Sequence, residues 1–413
     1  MAKGARERSA ARDGGGGTAH TPGAATPSGA HAPGAATVTS AERLASARRL
    51  VIKIGSALFV DQVTGALDRA WLESVCADVA QLREEGKEVV IVSSGAVALG
   101  VRELKVDPRR ARLEDSQAAA AAGQILLAHA YQEVLAGFGI KAAQVLLTID
   151  DSESRIRYLN ACKTLLTLLN YGAVPVVNEN DTVATQELRY GDNDRLAARV
   201  AQMVSADCLV LLSDVDGLYT ANPRLDETAR HIDEVTELKR ELWDMAGGPG
   251  SSHGSGGMRT KLDAARIAVG AGCRMAIASG RAERPISALR AGAKATWFLP
   301  SATPGAARKQ WIAGTLSAKG SVSVDPGAER ALASGRSLLP AGVTAIDGEF
   351  ERGDAVRVLA ADGRELGRGL IAYAADEARL IAGKQSQGIA EVLGYRGRDE
   401  IIHRDDLVLI DGR

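Results

Sequence analysis

Two features of this sequence are suited to chemistry on an anion: a glycine-rich stretch at residues 254–261 and a lysine in an apolar strand. The stretch, Gly-Ser-Gly-Gly-Met-Arg-Thr-Lys, opens a segment with helical patterning. Glycines let backbone N–H groups approach an anion, a helix N-terminus adds the positive end of its dipole, and Lys261 adds a point charge suited to phosphate. No Walker P-loop occurs in the chain. The stretch indicates a phosphate site, with a glycine hinge as the alternative.

The lysine is Lys53, inside the apolar run 50–54, which has the composition of a buried parallel strand. A charged lysine is rarely buried unless it has a partner. Lys53 therefore either lies at the exposed strand end beside an anion or pairs with an internal carboxylate. We favour the anion because of the glycine-rich stretch, and because Gly55 and Ser56 leave room for a ligand directly after the strand.

Polar residues also follow three other predicted strands. Ser94 follows the run 88–93, Asp181 closes the cluster 178–181, and Ser213 and Asp214 follow the run 208–212. A carboxylate such as Asp181 can accept a hydrogen bond from an ammonium group, and Ser213-Asp214 suits a nucleotide base, a ribose or hydrated Mg²⁺. Each cluster taken alone also fits an ordinary turn. Four polar strand ends together favour a ligand site.

The run Gly-Asp-Asn-Asp at residues 191–194 precedes a helical pattern. Asp192 or Asn193 would serve as the N-cap of that helix. Asp194 could also lie between two lysines and orient them, because a carboxylate lowers the cost of holding two cations near one phosphate. That second role requires a tertiary proximity that depends on the fold.

Strand and helix patterns alternate from residue 50 to about residue 298, which predicts a doubly wound α/β domain with a mostly parallel sheet. Ligands of such domains bind beyond the carboxyl ends of the strands. The predicted strands are residues 50–54, 88–93, 140–147, 173–178, 208–212 and 273–278. The predicted helices are residues 69–85, 116–136, 155–169, 194–204 and 260–271.

Composition divides the chain into four parts. Residues 1–44 are rich in Gly, Ala, Pro, Ser and Thr and predict a disordered tail. Residues 45–305 form the α/β domain and 306–320 a linker. Residues 321–413 carry short alternating apolar runs, such as 356–359 and 370–373, and a helical stretch at 375–382, which predict a small β-rich domain.

Charge and cysteine usage limit the classes of partner. The chain of 413 residues has a formal net charge of −1, which gives no indication of a nucleic-acid or membrane partner. No apolar run reaches the ~18 residues that a membrane-spanning helix requires. Four scattered cysteines lie in apolar segments and six histidines lack metal-ligand spacing. We therefore expect a cytoplasmic protein with free buried thiols and no structural zinc.

In order and spacing, these motifs closely resemble the glutamate 5-kinase family of the amino-acid kinase fold. The matching runs are residues 51–56, 92–96, 176–181, 191–194 and 255–261. The resemblance extends from about residue 50 to the C-terminus. It implies an αβα sandwich that phosphorylates the γ-carboxylate of L-glutamate with ATP and Mg²⁺, as the first step of proline biosynthesis.

The resemblance also implies roles for individual residues. Lys53 and Lys261 would hold the transferring phosphoryl group while Asp194 orients them, and Ser94, Asp181 and Asn193 would contact glutamate. The nucleotide would be bound by Lys53, Ser213, Asp214, Ser255, Gly256, Gly257, Met258, Arg259, Thr260 and Lys261. The family further suggests a dimer or tetramer and proline as an inhibitor.

The C-terminal segment resembles the PUA domain of bacterial members of this family, a fold that binds RNA elsewhere. Residues 321–413 contain 12 Arg and Lys against 16 Asp and Glu. Because phosphate-backbone binding requires a basic surface, we expect a structural or regulatory role without general affinity for nucleic acid.

Two alternatives remain open from the sequence. The glycine-rich element is shared by kinases of the same fold whose acceptor is aspartate, N-acetylglutamate, carbamate or a phosphate monoester, so it specifies the fold better than the acceptor. The second alternative is an RNA-binding protein whose kinase domain is not catalytic. The presence of Lys53, Asp194 and Lys261 argues against the second.

Overall fold

A computed structural model of the chain describes residues 38–61, 64–107, 109–183, 193–246, 257–315 and 318–410. The largest feature is an eight-stranded sheet in the order β3-β4-β2-β1-β5-β9-β10-β8. Its strands are β1 (Arg49–Ile54), β2 (Glu88–Ser93), β3 (Ala142–Leu147), β4 (Val174–Glu179), β5 (Cys208–Ser213), β8 (Glu234–Val235), β9 (Arg274–Ser279) and β10 (Ala295–Phe298); a hairpin of β6 (Leu218–Tyr219) and β7 (His231–Ile232) lies outside it.

Six neighbouring strands, from β3 to β9, run parallel, whereas β10 pairs antiparallel with β9 and β8 pairs parallel with β10. The chain fills one side of β1 first and then crosses to β5 on the other side. Such a reversal of strand order places a crevice at the carboxyl ends of β1 and β5. The doubly wound, mostly parallel α/β fold predicted from the sequence is confirmed.

Helices cover both faces of this sheet. They are α1 (Ser40–Ala45), α2 (Arg69–Glu84), α3 (Ala96–Glu103), α4 (Leu113–Gly137), α5 (Ile149–Glu153), α6 (Arg155–Asn170), α7 (Asn193–Met203), α8 (Arg240–Ala246), α9 (Met258–Gly270) and α10 (Pro285–Arg290), whereas α11 (Pro304–Thr315) packs against the C-terminal domain. One buried core joins the sheet to α2, α4 and α10, and a second joins it to α6, α7 and α9. No helix in the described ranges is long and apolar enough to cross a membrane.

The period of two in β1 decides which core each side chain enters. Leu50, Ile52 and Ile54 belong to the core on the α2 and α4 side, whereas Val51 belongs to the core on the α6, α7 and α9 side. Lys53 shares the parity of Val51. The alternation of side chains along β1 therefore orients Lys53 toward α7 and α9.

The C-terminal domain is a five-stranded sheet in the order β12-β11-β13-β14-β15 with its own core. Its strands are β11 (Gly320–Val324), β12 (Val343–Gly348), β13 (Ala355–Leu359), β14 (Glu365–Leu370) and β15 (Leu407–Leu409), and its helices are α12 (Pro326–Ala333), α13 (Ala375–Ile381) and α14 (Ile389–Leu393). The predicted small β-rich domain is thus present.

Three local expectations differ from the structure. The predicted tail ends early, because Thr39 and Glu42 form a capping box that starts α1 and Leu44 is fully buried; residues 1–37 lie outside the described part. The segment predicted as a linker contains most of α11, whose Ile312 is buried. The apolar run 370–373 is not a strand beyond Leu370, because its backbone bonds instead to the 353–354 turn and to Ile401.

Helices α3 and α4 cross at unusually close range. A Cβ on Gly100 would lie 1.7 Å from the carbonyl oxygen of Ala119, and one on Gly123 would lie 1.8 Å from that of Ala96. Only glycine allows this approach. The crossing fixes α3, which begins directly after Ser94 and Gly95, against the long helix α4.

We expect Gly123→Ala to lower the free energy of unfolding by about 1–3 kcal/mol or more, because the new methyl group would overlap backbone atoms of α3. Urea denaturation followed by circular dichroism measures this loss. Gly137→Ala on the same helix is the matched control: nothing lies within 4 Å of its added Cβ, so it should be neutral or stabilise by up to about 1 kcal/mol. Equal destabilisation by both changes would contradict the close crossing.

Candidate active site

Asp194 pairs with two lysines from distant parts of the chain. Lys53 Nζ lies 2.7 Å from Asp194 Oδ1, and Lys261 Nζ lies 3.0 Å from Oδ2. The hydroxyl of Thr260 donates to Oδ2 at 3.0 Å. All three charged side chains are buried, with at most one tenth of any of them exposed. Two ammonium groups therefore flank one carboxylate, and the cluster carries one excess positive charge.

Burial alone would raise the pKa of Asp194, because it disfavours a charged carboxylate. The ammonium groups of Lys53 and Lys261 outweigh that cost and lower the pKa to about 2. Asp194 is therefore ionised throughout the neutral range. It holds two ammonium groups side by side, an arrangement suited to a further anion.

Three elements bring these residues together. Lys53 precedes the last residue of β1 and points to the α7 and α9 side; Asp194 lies in the first turn of α7; Lys261 lies in the first turn of α9. Gly257 caps α9 without a side-chain hydrogen bond. The start of a helix carries unpaired N–H groups and the positive end of its dipole. The site thus lies at the carboxyl edge of the sheet.

A network of amide side chains lies beside the charged cluster. Asn193 Nδ2 donates to Ser94 Oγ at 2.7 Å and to Asn178 Oδ1 at 3.1 Å, and Asn178 Nδ2 donates to Gln124 Oε1 at 2.7 Å. The oxygen Oδ1 of Asn193 is buried and has no hydrogen-bond partner among the residues that the structure describes. A buried acceptor of this kind suits a ligand that donates hydrogen bonds.

Asp181 begins a short 3₁₀ turn, Asp181–Val183, after β4. Burial raises the pKa of its carboxyl group to about 6, and no lysine, arginine or histidine of the described ranges offsets that effect. A desolvated carboxylate without a positive partner attracts a ligand that carries an ammonium group. Asp181 is therefore placed to recognise a cation.

The predicted nucleotide residues are distributed over two elements. Ser213 ends β5, beside the end of β1, and its hydroxyl donates to the exposed Asp214 at 3.1 Å. Met258, Arg259 and Thr260 form the first turn of α9, where Arg259 is exposed. Of the other predicted residues, Asp192, Ser255 and Gly256 lie outside the described part of the chain.

Gln124 was not predicted from the sequence, and Thr260 was predicted to contact the nucleotide alone. Gln124 is a buried polar residue in the alanine-rich stretch of α4, and a polar side chain at a core position of such a helix was the available signal. The bond from Thr260 to Asp194 depends on the approach of α9 to α7, which no local pattern contains.

Comparisons with known proteins give two family matches. Residues 48–279 match the amino acid kinase family, and residues 320–393 match the PUA domain. The second match agrees with the separate five-stranded sheet that begins at Gly320.

The chain is also similar to individual proteins. It is 61% identical to the glutamate 5-kinase of Paramagnetospirillum magneticum, over 89% of this chain and 99% of that relative. It is 60% identical to the glutamate 5-kinase of Rhodospirillum rubrum, over 87% of this chain and 96% of that relative. The solved carbamate kinase from Giardia lamblia bound to AMP-PNP shares 15% identity at a TM-score of 0.45, covering 62% of this chain and all of that one.

We expect Asp194→Asn to lower the free energy of unfolding by about 3–5 kcal/mol near neutral pH, because it leaves two buried ammonium groups without a carboxylate. The folded pKa of about 2 lies below the ordinary 3.8, so this contribution is present above about pH 4 and is lost as the pH falls through about 2. Urea denaturation at pH 7.5 is the measurement.

The matched control is Asp214→Asn, which removes the same charge from an exposed side chain near the site. It should change the free energy of unfolding by no more than about 0.5 kcal/mol. If Asp194→Asn were as harmless as this control, the double ion pair would not support the fold.

Proposed function

We infer the activity of this chain from its family, because the chain belongs to the glutamate 5-kinases of the amino acid kinase family. It transfers the terminal phosphoryl group of ATP to the γ-carboxylate of L-glutamate and forms L-glutamyl 5-phosphate, the first step of proline biosynthesis. The single observation that carries the site assignment is the convergence of Lys53 and Lys261 on Asp194.

The chemistry requires positioning more than proton transfer. A γ-carboxylate with an ordinary pKa of about 4.3 is already ionised at neutral pH, so it attacks without a general base. Two anions must approach each other in line, and the charge that spreads over the transferring phosphoryl oxygens must be stabilised. Ammonium groups and backbone N–H groups supply that stabilisation.

We assign Lys53 and Lys261 to the transferring phosphoryl group. Both ammonium groups are held at their positions by Asp194 before substrate arrives, so little reorganisation is needed during the reaction. Thr260 fixes the carboxylate of Asp194 from the side of α9. Asp194 is accordingly a positioning residue: it acts through the two lysines.

We assign the amide network and Asp181 to glutamate. Asp181 would pair with the α-ammonium group, because its carboxylate is desolvated and lacks a positive partner in the described ranges. The unpartnered Oδ1 of Asn193 would accept a second hydrogen bond from the same ammonium group. The hydroxyl of Ser94, held by Asn193, would donate to a carboxylate of the substrate.

We assign nucleotide binding to Ser213 and Asp214 and to the first turn of α9 with Gly257, Met258 and Arg259. Ser255 and Gly256, which precede that turn, have the same proposed role. Mg²⁺ would arrive bound to the ATP phosphates, because the protein offers it no evident site of its own in the described ranges. The carboxylate of Asp194 is committed to two lysines, and no group of three or more His, Cys, Asp or Glu suited to a metal occurs in those ranges. The ion would neutralise phosphate charge.

A cytoplasmic location is supported by four free, buried cysteines, which a reducing compartment maintains. Assembly into a dimer or tetramer and inhibition by proline stay predictions from the resemblance. Aspartate, N-acetylglutamate, carbamate and phosphate monoesters are the alternative acceptors. Asp181 favours an acceptor with a free ammonium group, which N-acetylglutamate, carbamate and phosphate monoesters lack.

We expect Lys53→Ala and Lys261→Ala each to lower turnover by about 10²-fold or more, because each removes one charge from the phosphoryl group in the transition state. Hydroxylamine converts an acyl phosphate to a hydroxamate, so trapping it with glutamate, aspartate and N-acetylglutamate as acceptors measures turnover and acceptor choice together. Glutamate should give the fastest hydroxamate formation.

Lys87→Ala is the matched control. Lys87 is also buried, but its ammonium group donates to the carbonyls of Ala45 and Ala47, away from Asp194. Its loss should lower stability and leave the turnover of the folded enzyme within about twofold. Near-normal turnover in a folded Lys53 or Lys261 variant would remove that lysine from the mechanism, and a preference for another acid would overturn the acceptor.

The pKa of Asp181 predicts a pH dependence. With a folded pKa of about 6, Asp181 is ionised above that pH and protonated below it. We therefore expect kcat/KM for glutamate to fall as the pH drops through about 6, because only the carboxylate attracts the α-ammonium group. Asp181→Asn should give a low kcat/KM without this step, while any step from titration of ATP persists in both proteins. A wild-type profile that matches the variant would exclude Asp181 from substrate binding.

A further inference from the structure

A second cavity, of about 330 Å³, lies at the opposite ends of the two helices that carry the active site. Its wall includes Gln202 near the end of α7 and Gly270 at the end of α9. At 1.5 Å per residue, these positions are about 12–14 Å along the helix axes from Asp194 and Lys261. The cavity is therefore separate from the proposed kinase site.

Three arginines line this cavity: Arg155 of α6, Arg199 of α7 and Arg308 of α11. Two of them also hold the C-terminal domain, because Arg155 Nε donates to the carbonyl of Gly353 and Arg308 Nη2 pairs with Asp406 at 2.5 Å. The guanidinium group of Arg199 donates to Gln202 Oε1 at 3.1 Å on its own helix.

Two donor nitrogens of these arginines lack a hydrogen-bond acceptor in the described ranges. Arg155 Nη2 and Arg308 Nε are buried and have no hydrogen-bond partner among the residues that the structure describes. Buried N–H groups of arginine are costly to leave unpaired, since they have lost water without gaining an acceptor. Their presence in the walls of one cavity points to an acceptor that enters from solution.

The acidic groups nearby do not supply that acceptor. Asp406 is committed to Arg308, and Glu153, which lines the cavity, has an exposed side chain. Asp354, whose charge also acts on Arg155, pairs with Lys319 at 3.4 Å. The carbonyl groups of Ala201 in α7 and Ala268 in α9 do not require the arginines as partners either. Each already accepts a backbone N–H, at 2.8 Å and 2.9 Å respectively.

We propose that this cavity binds a small phosphate-bearing anion at the junction of the two domains. Guanidinium groups match phosphate oxygens with paired N–H donors, and Tyr158 adds an aromatic wall. A volume of 330 Å³ is at the small end of the range of ligand sites, about 300–1,000 Å³, which fits a phosphate ester of a small metabolite. The bound anion would connect Arg155 of α6 with Arg308 of α11, two side chains that already bond to the C-terminal domain.

Isothermal titration of the full chain with pyrophosphate, at constant ionic strength, tests this site. Pyrophosphate can also enter the active site, so the wild type should show two sites. Arg199→Ala should lose one of them, or weaken it about tenfold or more, because a charge-assisted donor is removed. Arg266→Ala, an exposed arginine on α9, is the matched control and should keep both.

Arg199→Lys retains the charge without the paired donors and should weaken the second site by an intermediate factor. That variant also covers the case in which Arg199→Ala does not fold. Indistinguishable titrations of the wild type and the Arg199 variants would overturn the site. If malonate bound to this cavity as tightly as pyrophosphate, the ligand class would be carboxylates and not phosphates. That result would refute the proposal.

Discussion

One buried carboxylate, Asp194, is the constraint on which the rest of the site depends. It pairs with an ammonium group from β1 and with another from α9. Because burial strengthens both ion pairs, they lower the pKa of Asp194 to about 2. Without it, each of the two buried ammonium groups would lose its carboxylate partner. The same arrangement holds two ammonium groups side by side, where we propose that the phosphoryl group binds.

The amide network on the acceptor side of the site depends on helix packing. Gly100 and Gly123 allow α3 and α4 to cross at backbone contact, and this crossing places Gln124 of α4 beside the strand ends. The amide groups of Asn178 and Asn193 then extend the network from Gln124 to Ser94. The proposed substrate contacts are therefore positioned by a chain of hydrogen bonds that begins in a helix pair outside the predicted site.

The two domains meet through few polar contacts and a small apolar cluster. Leu159 and Ile312 pack against Ala355 and Leu370, and arginines from α6 and α11 bond across the boundary. Both helices also line the arginine cavity, while α7 and α9 run from that cavity to Asp194 and Lys261. An anion in the cavity would therefore bind to the same helices that position Asp194 and Lys261.

The α/β fold and most strand and helix positions could be predicted from the sequence, because period-two and helical patterning are local properties. Polar strand ends and the family motifs together indicated Lys53, Asp194 and Lys261. The choice between an anion and an internal carboxylate as the partner of Lys53 was decided by tertiary structure: Asp194, 141 positions away, lies 2.7 Å from it. The same holds for Gln124, for the helix α11 and for the arginine cavity. Each depends on which side chains from distant segments become neighbours, and that is set by packing of the whole chain.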